Sequence, residues 1–378
     1  MRREHMIIPA AFQLVLDDIG WFKGDDDRWD DMPSRTGIPR DHVLEDYIAV
    51  NEIGRQANMK INVMFAIGEW DVNNRIRKLP NSSRFGANWD SSPYINLELA
   101  EKARDYLNSC EYIEQGIHCL LHEVWDDEGK LVGGQEFFLP EGFIKGAPRH
   151  LAPESYIRAH LDTFMEIYRD WGFTQELRAF ASPSGAGDSW KNDDFASVLK
   201  DYVKYWHNYS FDHSRVRCGV IMTKSAAMLA PWNAYDLDPR KLKIYSAEEA
   251  GIIAGHWPNL LRFDPENNLE RLADWKDYFD RQAEVFGVVM SRDVAFAHHQ
   301  QLYRYYSKVE EENGMIKLDL TEPDKLDPYE EKHPIYISFK NGSEPTECIG
   351  GNMSLYETKK EFKTYKIERT EENIIYIK

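Results

Sequence analysis

Two adjacent carboxylates stand at the end of a short apolar run. Asp17 and Asp18 follow the run that ends at Leu16. Because like charges repel, such a pair is costly to hold at the end of a buried strand, and a bound cation relieves that cost. One carboxylate is then free to be a ligand while the other acts as a base. The ordinary alternative is a helix N-cap or a solvated loop.

Two histidines spaced four residues apart supply further ligand chemistry. His118 and His122 could reach one metal ion from a helix face or from the bent end of a strand, and Gly116 and Ile117 favour the strand. Imidazole is a common ligand for zinc, nickel and iron. The spacing alone also fits two packed, hydrogen-bonded histidines. Together with the carboxylate pair it predicts an Asp-His-His donor set with positions open for water and substrate.

Two further apolar segments also end in polar residues. The run that ends near Ala181 enters a Ser-Pro-Ser-Gly turn containing Ser184, and such a turn either presents backbone N–H groups to an oxyanion or simply joins a strand to a helix. A later run ends at His256 beside Trp257, and this histidine suits a general acid or a packed position at the edge of the core. Trp257 and Trp232 are candidates for stacking on a sugar, or for core packing.

Strand-like and helix-like segments alternate through most of the chain. Strand-like runs occupy 11–16, 60–67, 115–121, 177–181, 216–222, 242–245, 251–254 and 288–290, and helical patterns occupy 42–59, 97–107, 153–171, 194–206, 269–286 and the segment from residue 291. Repeated βα units indicate a parallel sheet, and seven or eight strands predict a distorted (β/α)7–8 TIM-like barrel. The long connections 71–96 and 126–150 are expected above the carboxyl ends of the strands.

The pattern changes near Glu310. Short strand-like runs separated by turn residues such as Asn341-Gly342 replace the helices, and all 11 tryptophans lie at or before Trp275. We therefore expect an α/β domain over residues 1–308 and a small all-β domain or extension over residues 309–378.

Composition excludes several classes of partner. The formal charge of −18 argues against binding to nucleic acid or anionic lipid, and no stretch approaches the length of a membrane span. The apolar N-terminal run enters Asp17 and Asp18 without a signal-peptide cleavage site. The four cysteines are scattered and form no CxxC pair, which favours free thiols in a reducing compartment. We expect a cytoplasmic protein.

The order of these motifs resembles the polysaccharide deacetylase family with the NodB-homology domain, over about residues 8–290. The resemblance implies that Asp17 is the catalytic base, that Asp18, His118 and His122 are the metal ligands, and that His256 is the general acid. The chain departs from the family at Ala181 and Ser184, where that family has an arginine and an aromatic residue. These departures place it in a divergent subgroup similar to bacterial N-acetylgalactosamine deacetylases.

The resemblance implies hydrolysis of the N-acetyl group of an amino sugar by metal-activated water. The cofactor would be a divalent metal, with zinc as the first choice and cobalt or nickel as alternatives. Three other functions stay open: an O-acetyl esterase or other amidohydrolase on the same metal site, a non-catalytic carbohydrate-binding protein, and a protease using residues 122–126 as a variant HExxH motif.

Overall fold

The computed structural model of the chain describes residues 5–24, 37–79, 81–183, 193–208, 214–329 and 332–378. In these ranges the α-helices are α1 (Leu44–Ala57), α2 (Leu97–Ser109), α3 (Glu154–Asp170), α4 (Asp193–Leu199), α5 (Leu272–Ala283), α6 (Val294–Tyr306) and α7 (Thr321–Leu326). None of these helices has the length and apolar character needed to cross a bilayer.

The strands of the same ranges fall into two groups along the chain. Those up to α6 are β1 (Met6–Ile7), β2 (Ala10–Ile19), β3 (Ile61–Ala66), β4 (Ile113–Cys119), β5 (Val124–Trp125), β6 (Leu131–Gly133), β7 (Phe138–Pro140), β8 (Arg149–Leu151), β9 (Ala179–Ala181), β10 (Tyr205–Asn208), β11 (Arg215–Arg217), β12 (Val220–Met228), β13 (Ile252–His256) and β14 (Val288–Met290). Those after α6 are β15 (Lys308–Glu312), β16 (Met315–Asp319), β17 (Ile335–Lys340), β18 (Cys348–Ile349), β19 (Gly351–Thr358), β20 (Phe362–Arg369) and β21 (Ile374–Ile377).

A nine-stranded sheet forms the centre of the molecule. Its order is β10-β9-β4-β3-β2-β13-β12-β11, β14 joins it through β2, and β10 also pairs with β12. The pairs are parallel except that β11 runs antiparallel to β12. The expected mixed α/β fold with a large, mostly parallel sheet is therefore confirmed.

Strand β2 lies in the middle of this sheet. All ten of its residues are buried, which is expected for a strand whose two faces are both covered. Because β9, β4, β3, β2 and β13 are neighbours and run parallel, their carboxyl ends meet at one edge. Asp17 and Asp18, His118, Ala181 and His256 all stand at that edge.

The two long connections contain short elements of their own. The 71–96 connection contains short 3-10 turns, and its Arg75 forms ion pairs with Glu166 and Asp170 of α3. The 126–150 connection forms strands of two hairpins, β5–β6 and β7–β8.

The C-terminal part forms two four-stranded antiparallel sheets, in the orders β1-β17-β20-β19 and β15-β16-β21-β18. The N-terminal strand β1 therefore belongs to a sheet that is otherwise built from the tail. The two sheets share a core of their own that includes Ile316, Ile337 and Phe339. The expectation that helices stop after Glu310 is corrected by the short helix α7.

Three local predictions were wrong. The helix predicted over 194–206 ends at Leu199, and Tyr205–Asn208 is strand β10. A short apolar run fits either element, and here pairing with β9 and β12 decides for the strand. The run 216–222 spans the end of β11, the turn of the β11–β12 hairpin and the start of β12, rather than one strand.

The third error concerns residues 242–245, which form no strand. The side chain of Gln282 replaces a neighbouring strand, because its Oε1 accepts the Tyr245 N–H at 2.8 Å and its Nε2 donates to the Tyr245 carbonyl at 2.9 Å.

The side chain of Gln300 connects the central sheet to the C-terminal sheets, which gives a first prediction. Its Nε2 donates to the carbonyls of Pro9 and Tyr336, both at 3.0 Å, and its Oε1 accepts the Tyr336 N–H at 3.1 Å. Gln300→Leu leaves these buried groups without partners, so we expect a loss of about 2–4 kcal/mol in the free energy of unfolding.

Urea unfolding and hydrogen exchange of the Tyr336 amide measure this loss. Gln56→Leu on α1 is the control and should change stability by less than about 0.5 kcal/mol. Equal stability of Gln300→Leu and the control would contradict the assigned bridge.

Candidate metal centre

A β-bulge brings the two adjacent carboxylates to the same edge. Successive side chains of a strand normally point to opposite faces. In β2, however, Leu16 pairs with Val63 and Ile19 with Phe65, so Asp17 and Asp18 together oppose one residue of β3. At this bulge Asp18 has a left-handed φ of 66°. Both carboxylates are 3% exposed.

A second bulge places His118. Ile117 pairs with Phe65 and Cys119 with Ala66, so His118 is the extra residue of β4. After β4 the chain turns, and His122 also has a left-handed φ, of 69°. A non-glycine residue in this conformation costs about 1–3 kcal/mol and persists only where its surroundings enforce it. Two of the three predicted ligands are therefore held in strained backbone.

The three predicted ligands come together. Asp18 Oδ1 lies 3.3 Å from His118 Nε2 and 4.0 Å from His122 Nε2. One ligand atom from each residue lies within 4.8 Å of the others, and all three side chains are buried. Two ligand atoms about 2 Å from one ion at tetrahedral angles are roughly 3.3 Å apart, so the spacing suits a small divalent cation.

The hydrogen bonding of these atoms provides a separate test of the fit. In the part of the chain that the structure describes, the buried atoms Asp18 Oδ1 and His118 Nε2 face each other at 3.3 Å without good hydrogen-bond geometry. A buried polar atom left in this state costs about 1–3 kcal/mol. A cation shared by one carboxylate and two imidazoles would satisfy both atoms, so the group could hold a metal ion.

The other nitrogen of each imidazole faces an acceptor. His118 Nδ1 lies 2.9 Å from the Ala181 carbonyl of β9, and since a carbonyl only accepts, this nitrogen carries the proton. His122 Nδ1 lies 3.3 Å from Glu123 Oε1. Acceptors in these positions are typical partners of metal-binding histidines, because they leave Nε2 as the ligand atom.

These two acceptors were not predicted. The position of Glu123 directly after a predicted ligand was the available signal. A backbone carbonyl such as that of Ala181 gives none.

Asp17 and His256 flank this group from neighbouring strands. They are paired residues in the parallel register of β2 and β13. His256 Nε2 lies 3.9 Å from Asp18 Oδ2, and the His256 side chain is 15% exposed whereas those of Asp18, His118 and His122 are at most 4% exposed. His256 therefore stands on the side of the site that is open to solvent.

Burial and neighbouring charges act against each other at this site. Burial raises the pKa of Asp18, but the contact with His118 and the charges of His122 and His256 outweigh it, so the pKa lies well below its usual range. Burial lowers the pKa of His118, but the carboxylates of Asp17 and Asp18 outweigh it and raise the pKa to about 9. Asp18 and His118 thus hold each other in charged forms.

The residues predicted to contact a sugar do not come together as the three predicted metal ligands do. Trp257 is fully buried, and its indole stacks on His42 with ring centroids 3.7 Å apart, so it packs in the core and presents no exposed face to a sugar. Trp232 is partly exposed, and its backbone lies beside Gly37. Ser184 and Gly185, half of the turn predicted to supply an oxyanion N–H, lie outside the described residues.

The segment after His122 bears on the protease hypothesis. An HExxH motif needs a helix to bring its residues to one face, whereas Val124–Trp125 is a short strand. The local structure therefore does not fit that motif.

Comparisons with models of protein families, with curated proteins and with solved structures found no match to this chain.

The first prediction from this site is one divalent metal ion bound per chain. Removing a ligand with Asp18→Ala, His118→Ala or His122→Ala should weaken Zn²⁺ binding by at least about 100-fold, because each change deletes one of three protein donors. Calorimetric titration measures the affinity. His150→Ala removes an exposed histidine and should bind as the wild type does. Wild-type protein that takes up no divalent metal would contradict the site.

The pKa of His118 gives the second prediction. At pH 7 this histidine carries an extra proton in the metal-free protein, since its pKa is raised to about 9, and a metal ion must displace that proton. We expect the affinity to rise about tenfold per pH unit from pH 6 to 8 and to level off near pH 9. Calorimetry in buffers of different ionisation enthalpy should detect the released proton. An affinity independent of pH over this range would contradict the displacement.

Proposed function

We propose that this protein is a metal-dependent carbohydrate deacetylase that hydrolyses the N-acetyl group of an amino sugar. One observation carries the proposal: the buried Asp18-His118-His122 group has Asp17 and His256 beside it on adjacent strands. A metal site alone fits many functions. A metal site flanked by a carboxylate and a partly exposed imidazole has the parts for hydrolysis of an amide.

The roles follow from the chemistry of each side chain. A metal ion, when bound, would polarise the acetamide carbonyl and make the attacking water more acidic. Asp17 takes the proton of that water as general base, and the water oxygen forms the new bond to the acetyl carbon. The C–N bond then breaks, and His256 protonates the amine as it leaves. The products are acetate and the free amino sugar.

The position of His256 favours an amide over an ester substrate. An amine is a poor leaving group unless it is protonated, whereas the alkoxide of an ester leaves more readily. The partly exposed imidazole of His256 can reach a substrate and donate that proton. An O-acetyl esterase on the same metal site is the second candidate, and a substrate panel separates the two.

Two features support a neutral sugar as the substrate. The formal charge of −18 disfavours polyanionic partners, and the order of the site motifs resembles that of the polysaccharide deacetylases. We propose zinc as the metal because a carboxylate with two imidazoles is a donor set that zinc accepts. The cytoplasmic location stays a prediction from the sequence.

We also propose that the central sheet is a distorted (β/α) barrel. The pairing of β10 with both β9 and β12 supports this, because those strands stand towards opposite ends of the hydrogen-bonded order. In such a barrel the site would lie at the carboxyl ends of the strands, which is where barrel enzymes place their active sites.

Replacement of the base tests the proposed reaction. Asp17→Asn keeps the shape of the side chain but cannot accept the proton, so acetate release from N-acetylated amino sugars should fall by about 100-fold or more while Zn²⁺ remains bound. The assay measures acetate released from a panel of N-acetylated and O-acetylated sugars. Asp105→Asn, on the exposed surface of α2, is the control and should retain full activity.

Two results would contradict the proposal. Asp17→Asn that turns over at the wild-type rate would remove Asp17 from the reaction. Wild-type protein that binds metal and sugar but releases no acetate from any member of the panel would favour a non-catalytic binding protein.

A further inference from the structure

The segment that carries His122 needs support from outside its own strand. It follows the end of β4, and His122 has the strained φ of 69°. The middle of this segment is held at Leu120, whose carbonyl accepts the Gly68 N–H at 2.8 Å. The Leu120 N–H donates to Glu136 Oε2 at 2.9 Å. Leu120 lies between His118 and His122, so its position sets the spacing of the two imidazoles.

Glu136 is the first member of a buried relay. Its second oxygen, Oε1, lies 2.7 Å from His160 Nδ1, and His160 Nε2 lies 3.1 Å from Ser82 Oγ. All three side chains are about 1% exposed. The relay joins the 126–150 connection, helix α3 and the 71–96 connection to the backbone between the metal ligands.

The relay contains the same residue types as a serine hydrolase triad, but a substrate cannot reach its serine. Tyr156 stacks on the His160 ring at 4.0 Å, and the ring of Phe137 packs against it edge-on at 6.1 Å. Since Ser82 and His160 are both buried, no substrate can reach the hydroxyl in this arrangement. The contact of Glu136 with Leu120 therefore explains the relay better than nucleophilic chemistry does.

We propose that Glu136, with His160 and Ser82 behind it, is a positioning residue that sets the affinity and geometry of the metal site. Glu136 does not touch the metal ligands. It acts through the Leu120 N–H, and the relay fixes the direction of its carboxylate. The proposal rests on the metal centre of the proposed function, but not on the sugar or the reaction.

Metal titration of three variants tests the proposal. Glu136→Ala removes the acceptor of the Leu120 N–H, so affinity for Zn²⁺ should fall about 10–100-fold, as is usual for the loss of a group that supports metal ligands. The visible absorption of the Co²⁺ form should change as well, because that spectrum reports the arrangement of the ligands. A change in overall stability alone would not alter it.

Glu136→Gln is the conservative variant. Its amide oxygen can still accept the Leu120 N–H, while its NH₂ donates to His160 Nδ1 and the histidine proton moves to Nε2 to face Ser82. The affinity for Zn²⁺ should therefore stay within about threefold of the wild-type value, and the Co²⁺ spectrum should not change. A loss equal to that of Glu136→Ala would overturn the assigned hydrogen bond.

Glu114→Ala is the matched control. Glu114, in β4 of the central sheet, is like Glu136 a buried carboxylate that accepts a backbone N–H, from Val294 at 2.9 Å, and contacts a basic side chain, Arg178. It lies four residues before His118, and the hydrogen bonds and ion pair that the structure describes for its carboxylate go to Val294 and Arg178. This variant should lose stability but keep metal affinity within about threefold. If it loses affinity as much as Glu136→Ala does, the effect is general destabilisation and the proposal fails.

The remaining outcomes are also decisive. Glu136→Ala that binds Zn²⁺ with wild-type affinity and an unchanged Co²⁺ spectrum overturns the positioning role alone. If Glu136→Ala does not fold, Glu136→Asp replaces it: the shorter carboxylate cannot reach Leu120 and His160 together, so affinity should fall, and wild-type affinity would overturn the proposal. Wild-type protein without metal affinity overturns both the centre and the relay, whereas metal binding without acetate release overturns only the deacetylase.

Discussion

The structure depends on one electrostatic constraint: a carboxylate and two imidazoles are buried together at the carboxyl edge of the central sheet. Asp18, His118 and His122 are each at most 3% exposed. Such groups are stable away from water only if a proton or a cation balances them. A proton on His118 is one way to balance the charge, and it is reflected in the raised pKa of His118 and the lowered pKa of Asp18. A bound cation is the other way, and the distance of 3.3 Å between Asp18 Oδ1 and His118 Nε2 suits it.

Bringing these groups together requires departures from regular strand geometry. Two bulges and two left-handed residues turn side chains towards the same point, and each left-handed residue costs free energy. Contacts from distant segments offset that cost. The Ala181 carbonyl orients His118, and Glu136 holds the Leu120 backbone between the two imidazoles. In the proposed arrangement, Ser82 and Glu136 of the two long connections would support the candidate metal centre from outside its strands.

The general arrangement of strands and helices could be predicted, because repeated βα units leave clear changes of hydrophobic period. The errors fell on short apolar segments. The local sequence of residues 205–208 fits a helix as well as a strand, and pairing with β9 and β12 makes them a strand. Residues 242–245 form no strand, because the Gln282 side chain makes hydrogen bonds to the Tyr245 backbone that a neighbouring strand would otherwise make. The local sequence pattern also could not predict that β1 joins a sheet of the C-terminal part, since this pairing links positions more than 300 residues apart.

The sequence by itself determined the types and order of the groups at the site: the carboxylate pair near the end of β2, His118 in β4 with His122 just after that strand, and the late histidine at the end of β13. Their types and their positions at the ends of apolar runs are local properties. Only the tertiary structure decided which atoms face one another, because bulges change side-chain directions in ways that a regular alternation does not predict. It also placed Trp257 against His42 in the core and set Glu136, His160 and Ser82 in one relay. These contacts join residues far apart in the chain, where spacing carries no signal.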